Sequence, residues 1–377
     1  MKPSLPAALF LAAAAVPAAA QDPAPVYQSS SAKTTFQWHL DSVNRQEWTR
    51  PDDFTFNDND RRLFRLRPRV EMERGWLQLG VGGDFTYGSD KNTEPATKPL
   101  IRDNYKSRDA RLDLAFARVS PVSWLSVQGG RFAMPVRTTE MIWDRDLRPQ
   151  GAAVTLQLPS GGSLQKLAAT GVFARGSHVF PSDDDGPFEF KDRDTVWMAS
   201  LGATLGAGGQ GDVLELMGAF IRFDDLDKVS PLLRRQNTRT ATGLTLRYDV
   251  VDLVARYRSE KGIPFQLVAD YGWNTAADSD NHGLWLALVL GSVRSARAAL
   301  EYTYAKVDKD ATLGAYATDD FLWATGWDGH RADIGFRAGN HASVHVVGQI
   351  QRFKDSPRVE ERDDWVKRYR LEARLSY

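Results

Sequence analysis

Apolar and polar positions alternate along most of this chain with a period of two. Within Arg61–Met72, Phe64, Leu66, Pro68, Val70 and Met72 fall on one face, and Arg65, Arg67, Arg69 and Glu71 on the other. Trp76–Tyr87 sets Leu77, Leu79, Val81, Phe85 and Tyr87 against Gln78, Gly80, Gly82, Asp84 and Thr86. The last residues do the same, with Tyr369, Leu371, Ala373, Leu375 and Tyr377 opposing Arg368, Arg370, Glu372 and Arg374. A strand points successive side chains to opposite faces, so each such segment presents one apolar and one polar face. No segment of useful length carries the 3.6-residue period of an amphipathic helix. The pattern predicts sixteen strands, over 34–44, 62–72, 75–87, 109–119, 123–132, 150–158, 164–174, 194–206, 212–223, 239–258, 264–273, 283–291, 296–307, 329–338, 341–352 and 365–377. Residues 239–258 are long for one strand and predict a bulge near Val250-Val251. Counts of fourteen or eighteen are the alternatives.

The connections decide what such a sheet is for. Those near Arg74, Pro121, Ser160–Gly162, Ala207–Gly211, Glu260–Gly262, Val293 and Asn340 are short. Those at 45–61, 88–108, 133–149, 175–193, 224–238, 274–282, 308–328 and 353–364 are long and polar. A meander of short turns on one side and long loops on the other is the layout of a transmembrane antiparallel up-and-down β-barrel, with periplasmic turns and extracellular loops. Closure removes sheet edges and satisfies every backbone donor inside the wall. The apolar face then meets lipid and the polar face lines a wet interior. A soluble sandwich is the competing reading, but sixteen meandering strands would leave it with long exposed edges. Trp38, Trp197, Tyr271, Trp273, Tyr302, Tyr304, Tyr369 and Tyr377 fall on the lipid-facing registers, as interfacial aromatic girdles do.

Export fits this layout. Met1–Ala20 reads as a secretory signal, with Lys2, an apolar stretch and Ala18-Ala19-Ala20 as the cleavage region, which leaves 21–377 as one barrel domain. There are no cysteines, so disulfides contribute nothing to stability. Charge is balanced at 48 basic and 48 acidic residues, which argues against a nucleic-acid partner.

Two stretches carry a family resemblance. Gly130-Arg131-Phe132-Ala133-Met134-Pro135-Val136 followed by Trp143-Asp144-Arg145-Asp146-Leu147-Arg148-Pro149-Gln150-Gly151 resembles the putative porins of Gram-negative bacteria. Thr318-Asp319-Asp320-Phe321 running into Gly326-Trp327-Asp328-Gly329-His330 does too. Tyr377 resembles the terminal aromatic that the barrel-assembly machinery reads, where Phe is commoner. The resemblance implies a sixteen-stranded barrel in the cell outer membrane, often a homotrimer, among lipid and lipopolysaccharide. It implies passive passage of small hydrophilic solutes without naming one. No N-terminal segment has the length of a plug domain, which counts against energy-coupled transport. The alternative is a sealed barrel that anchors its long loops as an adhesin.

In a channel, selectivity resides in charged groups facing the lumen. The candidates are Arg65, Arg67, Arg69 and Glu71 on the second strand and Arg368, Arg370, Glu372 and Arg374 on the last. Closure places these rows about 10 Å apart across the first strand, whose inward positions would be Thr35, Gln37, His39 and Asp41. Either they form a basic wall that favours anions, or acids such as Glu71, Glu372, Asp41 and Asp113 neutralise them. The loop 133–149 carries Arg137, Glu140, Asp144, Arg145, Asp146 and Arg148 together with Met141, Ile142 and Trp143. That mixture suits a segment folded against the inner wall as a constriction, the alternative being a solvated surface loop. If Glu140, Asp144 and Asp146 faced the arginine rows, a transverse field would cross the pore.

Enzyme signatures are poor. Neither Gly-x-Ser-x-Gly nor His-Glu-x-x-His occurs. His341 and His345 lie about 13 Å apart on one strand face, too far to share a metal. His341 with Ser343 lacks an orienting third group. Asp183–Asp185, Asp278 and Asp280 lack calcium-binding spacing. No enzyme, cofactor or metal is expected.

Overall fold

The protein is described by a computed structural model covering residues 33–51, 59–89, 108–158, 160–175, 194–207, 211–229, 237–239, 243–244, 246–293, 297–317, 320–321, 324–354 and 365–377. It is a closed barrel of sixteen antiparallel strands, each paired with its neighbours in sequence. They are β1 (Thr35–Pro51), β2 (Asn59–Arg74), β3 (Leu77–Ser89), β4 (Arg108–Val122), β5 (Leu125–Arg131), β6 (Gln150–Leu158), β7 (Leu164–Arg175) and β8 (Thr195–Gly206). The second half runs β9 (Val213–Asp224), β10 (Tyr248–Ser259), β11 (Phe265–Asn274), β12 (His282–Gly291), β13 (Ala298–Val307), β14 (Trp327–Arg337), β15 (Ala342–Phe353) and β16 (Trp365–Ser376). Among the described residues the only helical element is the 3₁₀ turn Leu226–Lys228. All sixteen expected strands are present.

The barrel closes where β1 pairs with β16, from Asp41 opposite Ser376 to Pro51 opposite Val366. The terminal residue completes that seam, since Tyr377 N–H donates to Leu40 O at 2.9 Å and Leu40 N–H to Tyr377 O at 2.8 Å. Short turns gather at one end of the barrel. Between β2 and β3, Gly75 supplies a positive φ of 58° that lets the chain reverse in two residues. The outer face is an apolar band, on which Phe36, Leu79, Phe85, Leu201, Leu253, Phe336 and Leu371 are all exposed. Seven of the eight predicted girdle aromatics are exposed on it, from Trp38 at 68 % to Tyr271 at 41 %. The eighth, Tyr304, is partly covered by His330, with ring centroids 5.2 Å apart.

Three expectations need correction. β1 continues to Pro51 rather than ending at 44, so Arg45, Glu47 and Thr49 belong to the wall instead of a loop. The alternation stops there because the outward positions Ser42, Asn44 and Gln46 are polar. β10 begins at Tyr248, not at 239, and its register with β9 and β11 runs without a bulge at Val250-Val251. The preceding segment folds back through a bridge between Arg239 and Leu244, and Leu244 and Leu246 pack into the interior. Those inward leucines produced the apparent strand period.

The third correction concerns the interior, which on one side is apolar toward the loop end. On β7 to β10, Val172, Ala174, Val196, Met198, Ala219, Ile221, Phe223, Tyr248 and Val250 are buried inside the barrel. Their outward neighbours Phe173, Trp197 and Phe220 are exposed, so the loop-end parts of these strands are apolar on both faces, whereas Glu215, Asp252 and Arg256 point inward farther along β9 and β10. The inner apolar surface is covered by chain: residues of 132–149 and of 308–321 join it in one core.

Candidate functional site

The long connection between β5 and β6 crosses the inside of the barrel. Met141, Ile142, Trp143 and Leu147 are each at most 4 % exposed. Their seat is a notch made by two glycines that face each other across β11 and β12, Gly272 and Gly283. A Cβ on Gly283 would stand 2.6 Å from Met141 Sδ, and one on Gly272 would stand 3.0 Å from Ile142 Cδ1. Polar ties fix the same segment to distant strands. Arg137 pairs with Glu215 on β9 at 2.8 Å, and Arg256 on β10 donates to Thr138 O at 3.0 Å. The Thr139 hydroxyl donates to Asp270 on β11. Glu140 meets Arg331 on β14 at 3.5 Å and Arg145 within the loop at 3.2 Å. Arg148 is held by Asp113 on β4 at 3.3 Å. Asp144 turns inward on its own chain, its carboxylate accepting from the Asp146 N–H at 2.8 Å.

A second inner segment, 308–326, leans on the first. Asp144 N–H donates to Tyr316 O at 2.7 Å, and the Tyr316 ring lies 4.8 Å from Trp143 and 4.9 Å from Phe223. The Tyr316 hydroxyl donates to Asp194 at 2.6 Å. Asn237 clamps the segment, donating to Lys309 O and Thr312 O while accepting from Gly314 N–H at 2.7 Å. Phe321 stacks 4.6 Å from Trp327.

The arginine rows meet both segments. Arg65, Arg67, Arg69 and Glu71 face inward on β2, with Arg69 opposite His39 and Arg67 opposite Asp41 on β1. Arg65 donates to Asp84 on β3 at 2.9 Å, Arg111 reaches the same carboxylate at 2.8 Å, and Arg67 lies 3.4 Å from it. Arg65 and Arg67 both pair with Asp146 of the loop. Arg69 pairs with Glu71 at 3.2 Å. Across β1, Arg370 donates to Glu47 at 2.7 Å and to Asp320 at 2.9 Å, while Arg368 lies 3.6 Å from Glu47. Arg45 joins Glu372 at 2.7 Å, and Arg374 joins Glu372 at 2.7 Å and Asp333 at 3.0 Å. Enclosure by the wall pushes the Asp320 carboxyl up, but Arg370, Arg45 and Arg331 outweigh it and hold that carboxyl well below the usual range.

The predicted residues therefore sit together on one inner wall, and every predicted arginine on it has an acidic partner. Of the acids expected to pair with these rows, Glu71 and Glu372 do so and Asp113 holds the loop residue Arg148 instead, while Asp84, Glu47, Asp146, Asp320 and Asp333 supply the other partners. Asp84 was legible on the polar face of its strand. Glu47 and Arg45 were hidden by the early end assigned to β1, and Asp320 by its place in a loop. Asp183–Asp185 lies outside the described residues. Among the described residues no three His, Asp or Glu side chains cluster as a metal site.

The family model described as putative porin matches residues 19–227. This chain belongs to that family. Solved porins share its fold at low identity. OprB of Pseudomonas putida, in a high-pH structure, superposes with a TM-score of 0.62 at 12 % identity, covering 91 % of this chain and 94 % of that one. OmpF of Salmonella typhi, in a complex with daunomycin, gives 0.53 at 11 %, covering 91 % and 97 %. OccAB4 of Acinetobacter baumannii gives 0.51 at 9 %, covering 94 % and 99 %. No curated protein matches the chain. The porin family and the barrel together make this an outer-membrane porin channel.

Proposed function

We propose that this porin lets small hydrophilic solutes diffuse passively and favours anions mildly. The observation that carries the reading is the arginine wall on β16, β1 and β2, to which each inner segment contributes one carboxylate, Asp146 and Asp320. Around Asp84 and Asp146, the guanidiniums of Arg65, Arg67 and Arg111 converge on the lumen side of β2 to β4. Guanidiniums lining a low-dielectric opening raise the local anion concentration. In this reading loop 133–149 is the constriction, with Arg145 (side chain 49 % exposed) presenting charge to the passing solute. The turns lie in the periplasm, residues 1–20 are removed on export, and Tyr377 serves as the assembly handle.

Liposome swelling with sugars, amino acids and organic anions tests openness and selectivity together. Anions entering faster than neutral solutes of equal size supports the reading, and the reverse order defeats it. The rival, a sealed barrel displaying its loops, draws support from the two segments packed inside. Single-channel recording separates the two, because a sealed barrel gives no conductance steps.

A further inference from the structure

At the turn end of the barrel three inward side chains stand in a line. Ser343 and His345 occupy alternate positions near the start of β15, and Asp333 lies on the neighbouring β14. Ser343 Oγ is 2.9 Å from His345 Nε2, and His345 Nδ1 is 2.7 Å from Asp333 Oδ1. A carboxylate accepts only, so Nδ1–H donates to Asp333, which leaves Nε2 to accept the Ser343 hydroxyl. The third group that His341 and Ser343 lacked in the sequence is thus supplied by another histidine and another strand. His341 itself packs on Tyr377.

The wall is shaped for this ring. Gly335 lies opposite His345, and a Cβ there would come within 2.7 Å of His345 Cε1 and 3.0 Å of Nδ1. Glycine at 335 therefore lets the imidazole lie flat across β14 and reach Asp333. The other oxygen of Asp333 is held by Arg374 at 3.0 Å. Ser343 is flanked in register by Arg337 on β14 and Arg374 on β16. A polar wall needs hydrogen bonds, but not a serine, two distinct ring nitrogens and a carboxylate in that order.

We propose that Ser343 is an activated nucleophile, with His345 as general base and Asp333 as positioning residue, acting on small negatively charged carboxylic esters at the turn-end mouth. Ser343 Oγ attacks the ester carbonyl carbon while its proton passes to His345 Nε2. The ester C–O bond breaks and the alcohol leaves with that proton. Water then attacks the acyl-serine, gives a proton to His345, and releases the carboxylic acid as Ser343 recovers its hydrogen. The arginines at 337 and 374 favour an anionic substrate and the developing oxyanion. Ser343 is only 3 % exposed, so the electrophile must be small.

The test is diisopropyl fluorophosphate on the full chain folded in detergent, read by mass spectrometry of the Ser343 peptide. The Oγ–P bond forms, P–F breaks, and fluoride leaves. The expected result is one adduct at Ser343, absent in Ser343→Ala, slowed at least about a hundredfold in His345→Gln, and slowed in Asp333→Asn. Mono-p-nitrophenyl succinate should be hydrolysed faster by the parent than by Ser343→Ala. Unchanged single-channel conductance in Ser343→Ala and His345→Gln shows that the barrels have folded. No adduct in a folded barrel, equal labelling in His345→Gln, or labelling without ester turnover would overturn the proposal.

Discussion

Replacing Asp146 by Asn removes one charge from the inner wall with almost no change of shape. Asp146 accepts from Arg65 and Arg67, and Arg65 keeps its bond to Asp84 at 2.9 Å, so no guanidinium in this cluster loses every acid. The structural cost is that of a weakened hydrogen-bond pair, about 1–3 kcal/mol, which a large closed barrel tolerates. The electrostatic effect is larger in kind. The cluster becomes more positive by one unit charge, while Arg65, Arg67 and Arg111 stay around Asp84. One added charge at about 6 Å from a permeating ion in water is worth about 0.7 kcal/mol. Screening near 0.1 M salt cuts this to about 0.4 kcal/mol. Each ion's local concentration then changes about twofold, and the anion-to-cation permeability ratio rises about three- to fourfold. Reversal potentials across planar bilayers in a tenfold potassium chloride gradient measure that ratio. Arg67→Gln should shift the potential the opposite way by a similar amount. If both variants move it in one direction, or neither moves it, the cluster does not face the conduction path.

Three further outcomes follow from the packing. Met141→Ala empties the glycine notch; the docked loop should lose about 2–5 kcal/mol, seen as increased open-channel noise with little change in the urea midpoint of the barrel. Tyr248→Phe deletes a 2.6 Å hydrogen bond to Asp310 and should cost about 1.5–3 kcal/mol in urea titrations in lipid vesicles; no change would mean that Asp310 is satisfied without it. Because the Asp320 carboxyl is held below the usual range, its contribution to stability is complete above the unfolded value of about 4 and is lost only as pH falls through the lower folded value. Conductance should therefore hold from pH 7 to about 4 and change in stronger acid, and Asp320→Asn should reproduce the acid behaviour at neutral pH.

How much of this was legible in the sequence depended on which surface a residue met. Where the outer face meets lipid, every second residue is apolar, and all strands could be located from that period. The signal vanished at Arg45–Pro51, where the wall continues but Trp48 is an isolated apolar residue between the outward Gln46 and Arg50. It misled at 239–247, where Leu244 and Leu246 face an apolar interior and imitate a strand. The period specifies which residues point inward but not which of them meet, because partners such as Arg65 and Asp146, or Arg370 and Asp320, are set by loops crossing the lumen. Ser343, His345 and Asp333 show the same limit: the first two are neighbours on one strand face, but the third depends on register and on Gly335.

The division of the interior explains why its charges can be paired and still serve a channel. Toward the loop ends of β7 to β10 the inner wall is apolar and is covered by the two inner segments through Trp143, Tyr316 and Phe223, a seat that no water-filled lumen would support on its own. The opposite wall, from β14 through β16 to β4, carries the arginines, and the proposed path runs along that side. There the loop carboxylates of Asp146 and Asp320 occupy the guanidinium forks that a solute's own carboxylate would otherwise take. A passing anion must exchange with a resident partner rather than fill an empty site, and exchange costs nearly what it returns. In the proposed reading solutes are thereby attracted along the wall without being held, the balance that passive conduction requires. Bare arginines would bind anions more tightly and release them more slowly, so neutralising acids on this wall favour flux over affinity.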